Sequence, residues 1–163
     1  MNDTATSPQT AATMQNSPSA PLLLVDDSDD ELVLMQMGLK RAGVLVPQVV
    51  AHNGEQALDY LFGRGAHAGR DTSVQPRLVL MDLHMPGKSG VDVLREIRAN
   101  PATADLRVVI FSSSDDPAEM IDAHAKGANS YLCKPLSVTG MQSTIKQIRK
   151  FWLDIDLPAI GDK

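Results

Sequence analysis

Five polar side chains in this 163-residue sequence stand directly after short apolar runs. Asp26 and Asp27 follow Leu22 to Val25, Asp82 follows Leu78 to Met81, Ser112 follows Val108 to Phe111, and Lys134 follows Tyr131 to Cys133. Runs of this length and type read as strands buried on both faces. The carboxyl ends of parallel strands lie along one edge of the sheet, so the four exits meet in one crevice. Three carboxylates crowded there repel one another, and without compensation at least one pKa rises. A divalent cation removes the conflict. Mg²⁺ suits the donors, since it takes oxygen ligands, needs only one or two carboxylates, and fills its other positions with water and phosphate oxygens. A carboxylate so placed can attack a phosphoryl group and form an aspartyl phosphate. Asp82, alone at its strand end, is the central candidate, with Lys134 as a point charge and Ser112 as a hydrogen-bond donor to a phosphoryl oxygen.

Helices must carry the chain between these exits. Ser28 with Glu31 three residues on predicts a capping box, opening a helix that buries Leu32, Met35 and Leu39 and ends near Gly43. A short strand from Gln48 to Ala51 precedes a helix capped by Asn53, with Leu58, Leu61 and Phe62 inward and Gly63 as its stop. The polar stretch from Gly63 to Pro76 reads as a long connection at the opposite end of the sheet from the acids, with His67 a solvated loop residue. After Asp82, the residues Pro86, Gly87 and Gly90 stop the strand, and Val91, Leu94 and Ile97 mark a helix ending at Asn100 and Pro101. Asp116 and Pro117 open the next helix, whose inner face is expected at Ile121 and Ala125. Ser137 caps a last helix with Met141, Ile145, Ile148 and Trp152 on one side. Five strands alternating with five helices predict a doubly wound α/β fold around a parallel sheet.

The composition is that of a globular chain, with 43% hydrophobic and 21% charged residues, and the net charge of -5 argues against nonspecific binding to nucleic acid. Cys133 is the only cysteine, which excludes an intrachain disulfide, and its apolar flanks predict a buried strand residue. Residues 1–21 read as a disordered leader without a secretory pattern, residues 22–153 as the domain, and residues 154–163 as a C-terminal extension. No apolar run is long enough to span a bilayer, so a cytoplasmic protein is expected. Exposed apolar residues of the last helix and of the extension (Ile155, Leu157, Ile160) predict a homodimer that buries them.

Taken together, Asp26-Asp27-Ser28, the segment from Met81 to Pro86 with Gly90, Ser112 and Lys134-Pro135 resemble the receiver domain of two-component response regulators, over about Leu22 to Trp152. The resemblance implies a flavodoxin-like five-stranded sheet of order 2-1-3-4-5 and phosphoryl transfer from a histidine kinase onto Asp82. It implies Mg²⁺ held by Asp26, Asp27, Asp82 and the backbone carbonyl of His84. Ser112 and Tyr131 would form the switch, the hydroxyl moving toward the phosphoryl group and the ring following inward, and Lys134-Pro135 would be a cis peptide. Such a protein catalyses only its own phosphorylation and dephosphorylation. More narrowly, the Gly63 to Pro76 connection and the ending Phe151-Trp152-Leu153 look like single-domain regulators that partner phytochrome-type histidine kinases and are commonly dimers.

Two other functions use the same residues. A phosphohydrolase with an aspartyl phosphate intermediate typically carries a second acid two residues after the nucleophile, where this chain has His84. A receiver that works only as a phosphate-independent docking module usually lacks an acid, the lysine or the acceptor, and this chain keeps them all. His84 is expected to rim the crevice and tune water access, while His52 and His124 are expected outside it.

Overall fold

Each apolar run forms a strand in the computed structural model, which describes residues 20–153. The strands are β1 (Leu22–Val25), β2 (Gln48–Ala51), β3 (Leu78–Met81), β4 (Val108–Ser112) and β5 (Ser130–Cys133). The helices are α1 (Asp29–Arg41), α2 (Gly54–Phe62), α3 (Gly90–Ala99), α4 (Pro117–Ala125) and α5 (Val138–Ile148). The strands pair in parallel in the order β2-β1-β3-β4-β5, the flavodoxin-like arrangement expected.

Every residue of β1, β3 and β4 is buried, because helices cover both faces. Leu23, Val25, Val79, Met81 and Ile110 face the layer of α2, α3 and α4, whereas Leu22, Leu24, Leu80 and Phe111 face α1 and α5. Each such side chain contributes about 1.5–3 kcal/mol by leaving water. The chain steps from β1 outward to β2 and then returns to β3, so the sheet's order reverses beside β1, where open α/β sheets form crevices.

Most helix starts follow the sequence. The side chains of Asn53, Asp116 and Ser137 accept backbone N–H groups from Gln56, Ala118 and Gly140. The Ser28 cap is half of the expected box: its hydroxyl accepts from Glu31 N, but Ser28 N–H donates to Asp26 Oδ1 at 2.9 Å. Glu31 instead lies 3.8 Å from Lys134 Nζ, drawn by the stronger attraction of a charge. The reciprocal capping box occurs at Ser89 and Asp92, at the start of α3.

Other expectations fail as well. Ile121 is 70% exposed and Ala125 is also exposed, while Ala123 is the buried residue of α4. A helix that meets the sheet through alanine has no large apolar side chain to mark its inner face. Cys133 is exposed, because β5 is an edge strand and its last residue lies beyond helical cover. All described peptide bonds are trans, Lys134–Pro135 included; trans is the lower-energy form by roughly 0.5–1 kcal/mol even before proline. His67 is half-buried and meets the Tyr60 ring edge-on, with centroids 5.1 Å apart.

His67 belongs to a built structure rather than a loose loop. A short 3₁₀ turn, Gly65–His67, leads to Arg70, whose guanidinium lies 4.0 Å from the Tyr60 ring centre. Arg70 donates to the carbonyls of Tyr60, Leu61 and Val74, tying the connection to the end of α2. Ala20 and Pro21, assigned to the leader, are buried, and their carbonyls accept from Arg77. The rest of the leader and the extension after Leu153 lie outside the described residues.

Candidate functional site

The hydrogen-bond ladder of the sheet runs one residue past the strands and fixes the polar exits. Asp26 N–H donates to Ala51 O, Asp82 N–H to Val25 O, and Lys134 N–H to Ser112 O at 2.7 Å. The backbones of both acids and of the lysine are therefore set by neighbouring strands. Gly90 completes the fit on the other side: a Cβ there would lie 2.5 Å from the Asp82 carbonyl oxygen, so only glycine lets α3 approach.

Asp26, Asp27 and Asp82 each present a carboxylate oxygen within 4.8 Å of the others. Asp26 is buried, Asp82 half-buried and Asp27 exposed, so the cluster opens to solvent on the Asp27 side. Lys134, with 7% of its side chain exposed, places Nζ 2.5 Å from Asp26 Oδ2 and 3.4 Å from Asp82 Oδ2. Asp82 Oδ1 accepts the Leu83 N–H at 2.7 Å. Burial pushes the Asp82 carboxyl above the usual carboxylate range and Asp26 adds to it, outweighing the attraction of Lys134. Burial alone would depress Lys134, but its hydrogen bond to Asp26 and the nearby charges of Asp82, Asp26 and Glu31 raise it. The lysine is thus held as a cation among acids.

Three hard oxygen donors in a cluster that opens to solvent at Asp27 fit a divalent cation such as Mg²⁺ or Mn²⁺. Ser112, fully buried at the end of β4, stands one residue beyond the level of Asp82 in the β3–β4 register. Its Oγ accepts the Ser114 N–H at 3.3 Å. Tyr131 is half-buried against the core on the α2, α3 and α4 side, and its hydroxyl donates to Ser114 O at 2.9 Å.

His84 is exposed at the rim, as expected, with Nε2 2.8 Å from Glu119 Oε2. His52 is nearer than expected: with Asp27, Glu55 and Lys88 it lines a cleft of about 300 Å³, and its Nε2 lies 3.1 Å from Asp29 Oδ1. His124 is exposed on α4. Sequence reasoning passed over Ser114 and Glu119, which join His84 and Tyr131 in one hydrogen-bonded set. Ser114 is one of three consecutive serines, and nothing in that run marks which of them bonds onward.

A parallel sheet of this order, with acids, a hydroxyl and a lysine converging at its carboxyl edge, is the flavodoxin-like architecture of receiver domains. The chain belongs to the response regulator receiver domain family, whose model matches residues 22–146. It is 33% identical to the probable methanogenesis regulatory protein FilR2 of Methanothrix harundinacea, over 81% of this chain and 83% of that protein. It is 30% identical to the response regulator Rcp1 of Synechocystis, over 89% of this chain and 97% of Rcp1. The crystal structure of Mn²⁺-bound Rcp1 superposes with a TM-score of 0.75, at 29% identity, over 83% of this chain and 95% of that one. That of the phosphorylated cyanobacterial phytochrome response regulator RcpA gives 0.77 at 29% identity, with the same coverage.

Proposed function

We propose that the chain is a phosphoacceptor response regulator, taking a phosphoryl group from a histidine kinase onto Asp82. The observation that carries this reading is the acid cluster with Lys134 Nζ set between Asp26 and Asp82. In the transfer, an Asp82 carboxylate oxygen forms a bond to phosphorus as the phosphorus–nitrogen bond of the donor phosphohistidine breaks, and the electron pair leaves with the imidazole. Asp26, Asp27, Asp82 and the His84 carbonyl would hold Mg²⁺, which neutralises charge on the phosphoryl oxygens when bound. Lys134 places its ammonium against the incoming group, and Ser112 Oγ–H donates to a phosphoryl oxygen. The chain catalyses only its own phosphorylation and dephosphorylation.

Intact mass after incubation with Mg²⁺ and acetyl phosphate tests the reading. One added phosphoryl group is expected on the wild type and none on Asp82→Asn. A wild type that takes neither phosphate nor beryllofluoride would leave a docking module as the better account.

The likeness to RcpA supports a phytochrome-type histidine kinase as the donor, in the cytoplasm. In this reading the signal leaves through altered protein contacts. We read the protein as a homodimer. A cleft of about 520 Å³ between β5 and α5 is lined by Leu132, Ile148, Phe151 and Trp152, and Phe151 is 57% exposed. The apolar residues Ile155, Leu157 and Ile160 follow in sequence. Truncation after Leu153 should halve the molar mass measured by light scattering; an unchanged dimer would remove the extension from the interface.

A further inference from the structure

Ser114 is the residue on which the two sides of the switch meet. Its N–H donates to Ser112 Oγ, and its carbonyl accepts the Tyr131 hydroxyl. A hydroxyl that accepts an N–H keeps its own proton to donate, so this contact leaves Ser112 Oγ–H available to a group on Asp82. The position of one residue, Ser114, thereby sets both the hydroxyl beside the acceptor and the ring of Tyr131.

What holds Ser114 is a carboxylate on α4. Ser114 Oγ donates to Glu119 Oε1 in a short hydrogen bond, and the other oxygen of Glu119 accepts from His84 Nε2 at 2.8 Å. His84 belongs to the loop after Asp82, so the carboxylate spans the crevice from the β4–α4 loop to the β3–α3 loop. These bonds from Ser114 and His84 favour the ionised form of Glu119. Charge-assisted bonds of this kind are roughly twice as strong as neutral ones, and the pair stands above a cleft of about 250 Å³ between Leu83 and Asp122.

We propose that Glu119 is a positioning residue for the switch: by clamping Ser114 to His84 it holds the Ser114 carbonyl where it receives Tyr131, keeping the ring inward without a phosphoryl group. The inference rests on the phosphoacceptor reading for its functional consequence, since a switch held in this way meets the phosphoryl group already arranged. It does not rest on that reading for its structural content.

Two measurements separate the two. With Tyr60 and Tyr131 the only tyrosines, the Tyr131 ring signals can be assigned in NMR spectra by comparison with Tyr131→Phe. In the unphosphorylated wild type the ring should show contacts to the core, and Glu119→Ala should lose them. Beryllofluoride with Mg²⁺ should then bind Glu119→Ala about fivefold more weakly, the low end of coupling between linked sites. Ser114→Ala cuts the same clamp, so the double variant should be no weaker than either single one. His84→Ala, which removes the donor at the exposed end, serves if Glu119→Ala does not fold. Tyr131 contacts unchanged in the single variants, or singles whose effects add, would overturn the clamp. A wild type that binds no beryllofluoride would remove the phosphoacceptor reading, and the NMR comparison would still decide the clamp.

Discussion

Burial raises the pKa of Asp82 more than Lys134 lowers it, so without metal its charge opposes folding. A folded-state pKa above the unfolded one means that the native protein binds the proton more tightly. Stability is then lost as pH rises from the ordinary carboxylate value through the raised one. Asparagine has the shape of the protonated acid and no charge. In EDTA at neutral pH, Asp82→Asn should melt at a higher temperature than the wild type, and the difference should vanish below about pH 3.8, where Asp82 is protonated in both states. A variant less stable than wild type at neutral pH would mean that the Lys134 contact outweighs burial.

The approach of α3 to β3 depends on Gly90, because a methyl group there would meet the Asp82 carbonyl oxygen and the Leu83 Cα, both main-chain atoms. Backbone cannot rotate aside as a side chain can. Gly90→Ala should cost about 1–3 kcal/mol in urea denaturation, as overpacking does, and should slow phosphorylation by acetyl phosphate by moving the acceptor. Full stability and rate would show that α3 shifts freely. At this scale the sequence was legible where side chains were large or charged. The strand ends bearing Asp26, Asp82, Ser112 and Lys134 stood out because apolar runs stop on polar groups, and Leu32, Met35 and Leu39 gave α1 its face. Elements were misread where the deciding contact is small or distant. Ala123 carries no periodic signal, so Ile121 was assigned inward. Glu31 fitted a local capping rule, yet Lys134, more than a hundred residues away, is its neighbour. The bond from Ser114 to Glu119 spans a loop and a helix start, which no spacing rule covers.

Across the whole molecule, acids gather at one edge of the sheet while α5 and its continuation through Leu153 carry Lys146, Arg149 and Lys150 and no acid. At the acidic edge, Lys134 faces Asp26, Asp82 and Glu31 together, with Asp27 close by. One cation cannot balance four carboxylates, so the native state holds a charge repulsion that a bound divalent ion would relieve, and the unfolded chain has no such cluster to bind it. A ligand that binds only the folded state adds RT ln(1 + [L]/Kd), about 2.7 kcal/mol at a hundred times Kd, or roughly 10 °C for a domain of this size. Magnesium should therefore raise the melting temperature of the wild type by about that amount at a hundred times Kd and continue to raise it logarithmically with concentration, and Mn²⁺ should do the same. Asp27→Asn removes the most exposed ligand while leaving the buried Asp26–Lys134 pair intact, so it should fold and lose most of the shift. An equal shift in Asp27→Asn would place the ion elsewhere, and no shift in the wild type would leave the repulsion to Lys134 alone.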